Sequence, residues 1–544
     1  MKNKILFAII IVFAIVFRFY QLGINPPSLT WDEAAWGYNA YTIGIDGKDE
    51  FGRFMPVDYL ESFGDFKPPV YAYLDVIPVK IFGLTPFATR FPSALLGVLT
   101  VIVSYFLTKR VFFSSEKKNL YGLIAAGMLA ISPWHVMLSR AAFEANVATF
   151  FLVCGVWLFL AAMQEKKWYL IFSAISFVLS IYTFNSARVV APILVIVLSL
   201  LFWKKLLGRK KQVIFACIVG ILLILPTAKF LLSPQAKLRF QEVNIFSDIS
   251  VIKTVNQQIA NDKNNIWSKI LHNRRLAFAE DFLQHYFDAF NPAYLFIKGD
   301  GNPKFSDRDV GEMYLWDVPF FIVGIFLLFK KREGYWWIIP LWLLIGIIPS
   351  ATARETPHAL RTEAVLPTFQ MLTAYGISQF VTSERIKKLS SLFRKGIFAV
   401  VGGLLFLEVV YAVHGYIAYY PWRFSGEWQY GYQNSIAFIQ KVENSYDEIR
   451  ITDALGRPYI YYLFYEKVVP SHYRSQAIIT RDAFGFVTVQ GFGKYRFGKG
   501  NANIPGAKKI LYIDTPENVP AKATIDKTFY LLDGSKVLIA YHIT

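Results

Sequence analysis

The sequence predicts a polytopic α-helical membrane protein with a small α/β domain at its C-terminal end. Hydrophobic residues make up 54% of the 544 positions and charged residues only 18%, a balance that suits several membrane spans plus some water-exposed mass. Apolar runs that approach the roughly 20 residues needed to cross a bilayer recur as far as residue 414. Beyond that point, short segments of strand-like composition replace them.

Eleven apolar stretches are predicted to be transmembrane helices. The first follows Lys2 and Lys4 and lacks a small-residue cleavage site, so we expect an uncleaved helix and not a signal peptide. An odd number of spans places the N-terminus in the cytoplasm and the C-terminus outside. The predicted spans are 5–20, 91–108, 120–138, 145–163, 169–185, 188–203, 212–232, 315–330, 336–352, 363–381 and 396–414.

These spans divide the chain into a transmembrane domain over 1–414 and an extracytoplasmic α/β domain over 415–544. The first domain includes two long outer loops, 21–90 and 233–314. In the first loop, aromatic and small residues at helical spacing predict a short helix from Glu33 to Ile43. In the C-terminal domain the sequence predicts strands over 450–453, 486–489, 509–514 and 537–541, and helices over 434–443 and 458–465.

The net charge of +18 does not require a nucleic-acid partner. Six stretches that we predict to face the cytoplasm hold 21 of the 57 Lys and Arg residues but only 4 of the 39 Asp and Glu residues. A basic surplus confined to alternate loops is the positive-inside bias of a membrane protein. The predicted partner of these charges is therefore the lipid bilayer of the cell membrane.

Asp32 and Glu33 follow the first span and are flanked by Trp31 and Trp36. One interpretation is structural, because carboxylates at such a place are often solvated or cap the helix that follows. The other is catalytic: partial desolvation in an interfacial aromatic belt raises the basicity of a carboxylate and suits it to general-base work.

Lys67 precedes Pro68 and Pro69 and leads into Tyr71, a candidate substrate contact. The prolines favour an extended backbone at the lysine. A lysine fixed at this level is either a snorkelling anchor or a ligand for a phosphate group.

Arg140 and Glu144 lie where the chain re-enters the membrane from outside. Their spacing of four predicts that both lie on one helix face, as a local ion pair or as part of a functional cavity. Further outer turns carry the candidate ligands Arg188, Arg354, His358 and Arg361. The seven histidines form no closely spaced pair, so no dedicated metal site is predicted.

Four features in this order resemble a known family. They are Asp32-Glu33 in the first outer loop, Lys67-Pro68-Pro69, Arg90-Phe91-Pro92-Ser93 at the second span, and Ser139-Arg140 with Glu144. The pattern resembles the GT-C membrane glycosyltransferases, and within them the branch of protein O-mannosyltransferases and lipid A aminoarabinose transferases (glycosyltransferase family 39). The resemblance covers about residues 5–415.

The resemblance implies an inverting transfer of a hexose or pentose from a polyprenyl-phosphate carrier to a protein, lipid or glycan acceptor on the outer face. It implies that Asp32 is the general base and that Lys67, with Arg140 or Arg188, holds the donor phosphate. Glu144 matches a second acidic position that orients the acceptor or a cation. Some relatives carry an acidic, metal-linked residue directly before the lysine, whereas this chain has Phe66. No cofactor is required by the sequence, and a divalent metal is compatible with it but not needed.

Two other classes of function remain open at this point. A transporter or sugar-lipid flippase would carry mid-span charges and two related halves with broken helices, whereas the charges here gather at the outer ends of the spans. A non-catalytic sugar-lipid-binding subunit would keep the phosphate ligands without needing Asp32.

Overall fold

The computed structural model describes residues 2–233, 236, 244–482, 486–498 and 504–543. Most of the chain is helical. The helices in chain order are α1 (Lys2–Phe19), α2 (Trp31–Asp46), α3 (Val70–Phe82), α4 (Pro86–Val111), α5 (Lys118–Ile131), α6 (Pro133–Arg140), α7 (Glu144–Gln164), α8 (Tyr169–Ile181), α9 (Ala187–Leu201), α10 (Trp203–Leu207), α11 (Lys210–Leu231), α12 (Ile249–Asn261), α13 (Ile266–Leu271), α14 (Arg274–Asp288), α15 (Asp317–Lys331), α16 (Ile338–Ala351), α17 (Ala359–Thr362), α18 (Thr368–Val381), α19 (Glu384–Lys387), α20 (Ser391–His414), α21 (Tyr420–Phe424), α22 (Gly431–Val442), α23 (Pro458–Tyr465) and α24 (Pro470–Gln476).

A helix occupies each of the eleven stretches predicted to cross the membrane, but the count of eleven spans is not confirmed. Within the described residues, four helical segments are long and apolar enough to cross a membrane by themselves. They are α4, α7, α11 and the continuous segment Ser391–Phe424. A fifth arises if α5 and α6, which meet at a 55° bend, form one broken span. Pro133 begins the second member of this pair, and a proline cannot continue the hydrogen-bond ladder of the preceding helix.

The chain folds as two compact units, each built from separate segments of sequence. The first unit comprises Met1–Phe17, Leu96–Leu138 and Ala145–Ala412 and contains most of the long apolar helices. The second comprises Arg18–Leu95, Ser139–Glu144 and Val413–Thr544. The first outer loop and the C-terminal domain therefore belong to the same unit.

In the first unit, α15 and α18 approach each other closely at two glycines. A Cβ atom on Gly376 would lie 1.9 Å from the carbonyl oxygen of Phe320, and one on Gly324 would lie 2.1 Å from that of Leu372. Small residues are the usual means of close helix packing in membranes, where lipid gives helices no hydrophobic reason to associate.

The second unit contains a hairpin and a seven-stranded sheet. The hairpin pairs β1 (Leu60–Ser62) with β2 (Asp65–Lys67). The strands of the sheet are β3 (Glu448–Ile451), β4 (Ala477–Arg481), β5 (Val487–Phe492), β6 (Tyr495–Phe497), β7 (Ile510–Asp514), β8 (Thr524–Tyr530) and β9 (Lys536–His542), in the spatial order β4-β5-β6-β3-β7-β9-β8. The pairs of β3 with β6 and with β7 are parallel, and the other pairs are antiparallel.

The predicted C-terminal α/β domain is confirmed. Helix α23 has the predicted bounds, α22 lies within three residues of its prediction, and the four predicted strands correspond to β3, β5, β7 and β9. No strand was predicted at the positions of β4, β6 and β8. Strand β4 has an exposed burial pattern with no alternation, and β6 is only three residues long, so neither gives a clear period-two signal.

One hydrophobic core joins the sheet to the first outer loop. Buried residues of α2, among them Ala34, Ala35 and Tyr38, belong to the same cluster as α23 and the inner strands. The tyrosine hydroxyl of Tyr38 also donates a hydrogen bond to the carbonyl of Val468 at 3.0 Å. The helix that carries Asp32 and Glu33 is thus packed on the C-terminal domain and is not a freely solvated loop.

Candidate functional site

Helix α2 begins with a capping box that fixes its first turn. The hydroxyl of Thr30 accepts a hydrogen bond from the backbone N–H of Glu33 at 3.2 Å, and the Glu33 carboxylate accepts one from the backbone N–H of Thr30 at 2.9 Å. The sequence pattern Thr-x-x-Glu is the signature of this motif and was a signal available from the sequence. The cap is therefore Thr30, and Asp32 projects from the first turn.

Glu33 forms a buried ion pair with Arg90. Both side chains have no solvent exposure. The guanidinium donates from Nε to Glu33 Oε1 at 2.8 Å and from Nη2 to Glu33 Oε2 at 3.3 Å. Its remaining donors reach the carbonyls of Leu22 at 3.1 Å, Pro26 at 2.8 Å and Ser28 at 2.5 Å. The five N–H donors of the arginine side chain are thus matched to five acceptor contacts.

The hydrogen-bond acceptor sites of the Glu33 carboxylate are also all used. Besides the two contacts from Arg90, it accepts from the backbone N–H groups of Thr30 and Ala142, the latter at 3.0 Å. A carboxylate has about four lone-pair sites, and here four donors use them. Glu33 consequently ties the start of α2 to the chain segment between α6 and α7.

The hairpin β1–β2 delivers Lys67 to Asp32. Leu60 pairs with Lys67 across the hairpin, and the two turn residues, Phe63 and Gly64, have φ angles of +53° and +79°. Positive φ at both central residues is the pattern of a type I′ turn, which suits a two-residue hairpin. The ammonium of Lys67 forms an ion pair with Asp32 Oδ1.

The two partners of this ion pair differ in exposure. The Lys67 side chain is 9% exposed, and its Nζ lies 5.1 Å from the ring centres of both Trp36 and Phe63. The Asp32 side chain is 47% exposed, so much of its surface faces solvent. Burial alone lowers the pKa of Lys67, but the charges of Asp32 and Asp65 raise it above its ordinary value. Lys67 is therefore a fixed cation beside an accessible carboxylate.

The structure corrects the prediction that Arg140 and Glu144 share one helix face. Arg140 is the last residue of α6 and Glu144 is the first residue of α7, so a break separates them. Arg140 is 3% exposed, and its guanidinium donates to the carbonyls of Tyr20 and Asn25, each at 2.8 Å. Glu144 is partly exposed, and its carboxyl group lies within electrostatic reach of Lys67.

Tyr71, another predicted contact, lies in the interior of the second unit. Its side chain has no exposure, its hydroxyl donates to the carbonyl of Thr89 at 2.8 Å, and its ring centre lies 5.6 Å from that of Trp36. It therefore supports the tryptophan that borders Lys67.

Four predicted ligands, Arg188, Arg354, His358 and Arg361, belong to the first unit. His358 Nδ1 lies 3.8 Å from Asp300 Oδ2. Burial raises the pKa of Asp300, and the positive charge of Arg361 opposes that effect. Burial and the Arg361 charge lower the pKa of His358 to about 3. His358 is neutral at physiological pH and cannot serve as a cation for a phosphate.

A buried carboxyl group that was not predicted, Glu50, lies in the same unit as Asp32 and Lys67. Its Oε1 accepts from the hydroxyl of Tyr459 at 2.8 Å and its Oε2 from the amide of Asn39 at 3.0 Å. Burial raises the pKa of Glu50 to about 8, with hydrogen bonding to Tyr459 and Asn39 opposing that effect. Glu50 links α2 to α23. No local sequence pattern predicts its contact with Tyr459, because the two residues are 409 positions apart.

The described residues do not form a metal centre at this site. No three His, Cys, Asp or Glu side chains in that part of the chain are grouped so as to hold a metal ion. Phe66, which precedes Lys67, packs its ring 5.0 Å from that of Tyr59. Phe66 offers no metal ligand at the position where some members of the resembled family carry an acidic residue.

Comparisons with known proteins agree with the resemblance. Residues 8–244, less than half of the chain, match the family model of dolichyl-phosphate-mannose-protein mannosyltransferases. A protein of Aquifex aeolicus (strain VF5) with no assigned activity is 28% identical over 189 residues, which is 34% of this chain and 36% of that protein. The candidate mannosyltransferase YkcB of Bacillus subtilis (strain 168) is 31% identical over 101 residues, 19% of this chain and 13% of YkcB. The aligned stretches thus span about a third or less of these relatives.

The structural likeness extends over nearly the whole chain. The apo structure of ArnT from Cupriavidus metallidurans matches with a TM-score of 0.54 at 12% identity, covering 99% of this chain and 97% of ArnT. The structure of the same protein bound to undecaprenyl phosphate matches with a TM-score of 0.51 at 11% identity. The predicted resemblance to the GT-C membrane glycosyltransferases is therefore confirmed for the fold, and the family model supports it over residues 8–244.

Proposed function

We propose that this protein is an inverting glycosyltransferase that moves a sugar from a polyprenyl-phosphate carrier to an acceptor on the outer face of the cell membrane. The observation that carries the proposal is the Asp32–Lys67 pair, an accessible carboxylate beside a fixed cation. The ArnT-like fold and the mannosyltransferase family match support the choice of reaction class.

In the proposed reaction, Asp32 takes the proton of an acceptor hydroxyl, whose oxygen then attacks C1 of the donor sugar. The C1–O bond to the phosphate breaks, and its electron pair stays on the phosphate oxygen of the released polyprenyl phosphate. Attack from the face opposite the phosphate inverts the configuration at C1. A positioned base of this kind contributes typically 10²- to 10⁴-fold to a rate.

Lys67 stabilises the leaving phosphate in this scheme. An ammonium group has three N–H donors, so Lys67 can keep Asp32 and still donate to a phosphate oxygen. The rings of Trp36 and Phe63 shield it from water, and a cation in a partly dry site stabilises developing negative charge more strongly than one in bulk water.

Glu33 has a positioning role in this proposal. Its lone pairs are occupied by Arg90 and two backbone N–H groups, so it holds the first turn of α2 in place and leaves proton transfer to Asp32. The carboxyl group of Glu144 lies within electrostatic reach of Lys67, and this position suits Glu144 to orient the acceptor. Phosphate binding by Arg140 and Arg188, and substrate contacts by Arg354, His358 and Arg361, stay predictions.

We propose a hexose as the donor sugar, because the matching family model and YkcB are both named for mannosyl transfer. The acceptor is a protein, lipid or glycan hydroxyl. In this arrangement the N-terminus is cytoplasmic and the C-terminal domain extracytoplasmic, as the basic stretches predict.

The test is transfer of radiolabel from polyprenyl-phosphate [¹⁴C]mannose in native membranes that supply acceptors, with Asp32→Asn beside the wild type at matched protein levels. We expect the substitution to lower transfer at least 100-fold, because an amide cannot accept the proton. Asp533→Asn, which changes an exposed carboxylate in a surface turn, is the matched control and is expected to keep full activity.

Full transfer by Asp32→Asn would overturn the assignment of the base. Carrier binding without transfer by the wild type, across a panel of donor sugars, would favour a sugar-lipid-binding subunit. Movement of the intact donor across vesicles would favour a flippase.

A further inference from the structure

The charges around Lys67 in this structure disfavour the binding of a phosphate group. Two carboxylates, Asp32 and Asp65, act on this one ammonium and raise its pKa against the effect of burial. An incoming phosphate at this place would meet more negative than positive charge. Arg140 does not offset this negative charge, because it is buried and its guanidinium donates to backbone carbonyls. A further cation is needed near Lys67.

A loop of the C-terminal domain lies against the residue that precedes Asp32. The loop, residues 452–457, leaves the carboxyl end of β3 and leads into α23. Its Gly456 has a φ of +122°, and a Cβ there would lie 2.5 Å from the ring of Trp31. The backbone of this loop is therefore in contact with Trp31.

The loop ends in Arg457, an exposed arginine next to the ring that shields Lys67. Its guanidinium carbon lies 5.9 Å from the ring centre of Phe63, and Lys67 Nζ lies 5.1 Å from the same centre. Pro458 follows, which occupies the first turn of α23 and restricts Arg457 to a non-helical backbone, observed at φ −105° and ψ 79°. The two cations thus border one aromatic ring, and only Arg457 is exposed.

We propose that Arg457 is a second ligand for the phosphate group that Lys67 binds, so that the C-terminal domain completes the donor site. This inference rests on the proposed function. It identifies the donor subsite as the space beside Phe63, with the buried ammonium of Lys67 at one border and the exposed guanidinium of Arg457 at the other. An arginine can meet two phosphate oxygens at once with its planar fork, which a lysine cannot do.

Two features of the sheet agree with this role. Strand β3 is flanked by the parallel strands β6 and β7, and ligands of α/β sheets bind at the carboxyl ends of such strands. The loop also contains the carboxylate of Asp453, but this side chain lies against Gly498, with Oδ2 2.7 Å from the place a Cβ would occupy. The negative charge on this loop therefore lies beside the residue that follows β6.

The test measures binding of undecaprenyl phosphate, the carrier without sugar, to the full-length protein in detergent. Wild type is compared with Arg457→Gln, Arg457→Lys and the control Lys522→Gln, which removes one positive charge from an exposed surface position of the same domain. We expect Arg457→Gln to raise the Kd roughly tenfold, as for loss of one charge-assisted hydrogen bond. Arg457→Lys should lose less, and Lys522→Gln should change the Kd less than twofold.

Transfer assays with an uncharged and with an anionic acceptor separate the two possible ligands of Arg457, the donor phosphate and an anionic group of the acceptor. A raised KM for the donor, with little change in kcat, supports the donor phosphate as the ligand. An unchanged carrier Kd in Arg457→Gln, or an effect confined to the KM of an anionic acceptor, would overturn the proposal. Carrier binding is measured without turnover. Absence of transfer by the wild type would therefore contradict the proposed function without changing the result of the binding test for Arg457.

Discussion

Glu33 Oε1 lies 2.8 Å from Arg90 Nε, and neither side chain has any exposure to solvent. Removing one partner leaves an uncompensated charge in the interior, a change that costs about 3–5 kcal/mol. Glu33 directly follows Asp32, the proposed base, in the first turn of α2, so loss of the pair should affect folding and chemistry together.

We therefore expect Glu33→Gln to lower the free energy of unfolding by about 3 kcal/mol or more. Thermal denaturation in detergent, followed by intrinsic fluorescence, measures the change. Glu427→Gln, an exposed glutamate of the same unit, is the control and should shift stability by less than about 0.5 kcal/mol. Equal stability of the two variants would show that the ion pair contributes nothing.

Lys67→Gln should lower kcat roughly 100-fold, because the leaving phosphate loses a fixed cation in a partly dry site. Lys67→Arg keeps the charge but places a larger group between Trp36 and Phe63, so we expect partial activity. Steady-state transfer with saturating donor gives both values. Activity of Lys67→Gln at the wild-type level would remove the lysine from the mechanism.

Glu50 should make stability depend on pH. Burial raises its pKa from 4.5 to about 8, so the folded state keeps a proton that the unfolded chain releases. The contribution to stability is complete below about pH 4.5 and is lost progressively as the pH rises to about 8. Glu50→Gln removes this dependence, so its Tm should exceed that of the wild type at pH 9 and not at pH 4.5. Identical pH profiles for the two proteins would contradict the raised pKa.

Gly456→Ala should displace the loop that carries Arg457, because its Cβ would lie 2.5 Å from the Trp31 ring. Gly534→Ala is a matched control: Gly534 also has a positive φ, +86°, but no atom lies within 4 Å of its Cβ position. Both variants bear the backbone strain of a positive φ, and only the first has the collision. We expect weaker carrier binding for Gly456→Ala alone, measured as the Kd for undecaprenyl phosphate.

Gly376→Ala should separate helices α15 and α18, because its Cβ would lie 1.9 Å from a backbone carbonyl that cannot rotate away. Gly402→Ala, a helical glycine with no atom within 4 Å of the Cβ position, is the control. Thermal denaturation in detergent should show a loss of several degrees in Tm for the first variant and little change for the second. A similar Tm for both would mean that the helices shift without cost.

The sequence predicted the parts of this structure that depend on local pattern. Apolar length predicted helices, strand-like composition predicted four of the seven strands of the sheet, and the spacing from Glu33 to Ile43 predicted most of α2, which extends from Trp31 to Asp46. The sequence predicted only that Asp32 and Lys67 lie at the same membrane surface. In the structure the hairpin brings the two side chains into contact.

The sequence did not predict features that arise from contacts between distant segments. Arg457 lies in a strand-to-helix loop whose composition is ordinary, and its place near Phe63 depends on the docking of the sheet on α2. The same holds for Glu50 and Tyr459. Arg140 and Glu144 were misassigned to one helix because their spacing fits a helical turn, whereas the chain breaks between them.

The segmented construction of the second unit has a consequence for biosynthesis. The carbonyl of Leu29 accepts a hydrogen bond from Tyr461 at 3.1 Å, across 432 positions of sequence. A ribosome that adds about 5–20 residues per second needs roughly 20–90 s to cover that distance. During this interval the first outer loop has emerged, with its buried carboxylates and aromatic rings, before the sheet that will cover them exists. Asp32 and Lys67 are therefore made long before the C-terminal sheet that packs on α2, so we expect the proposed donor site to be complete only after that sheet has been synthesised.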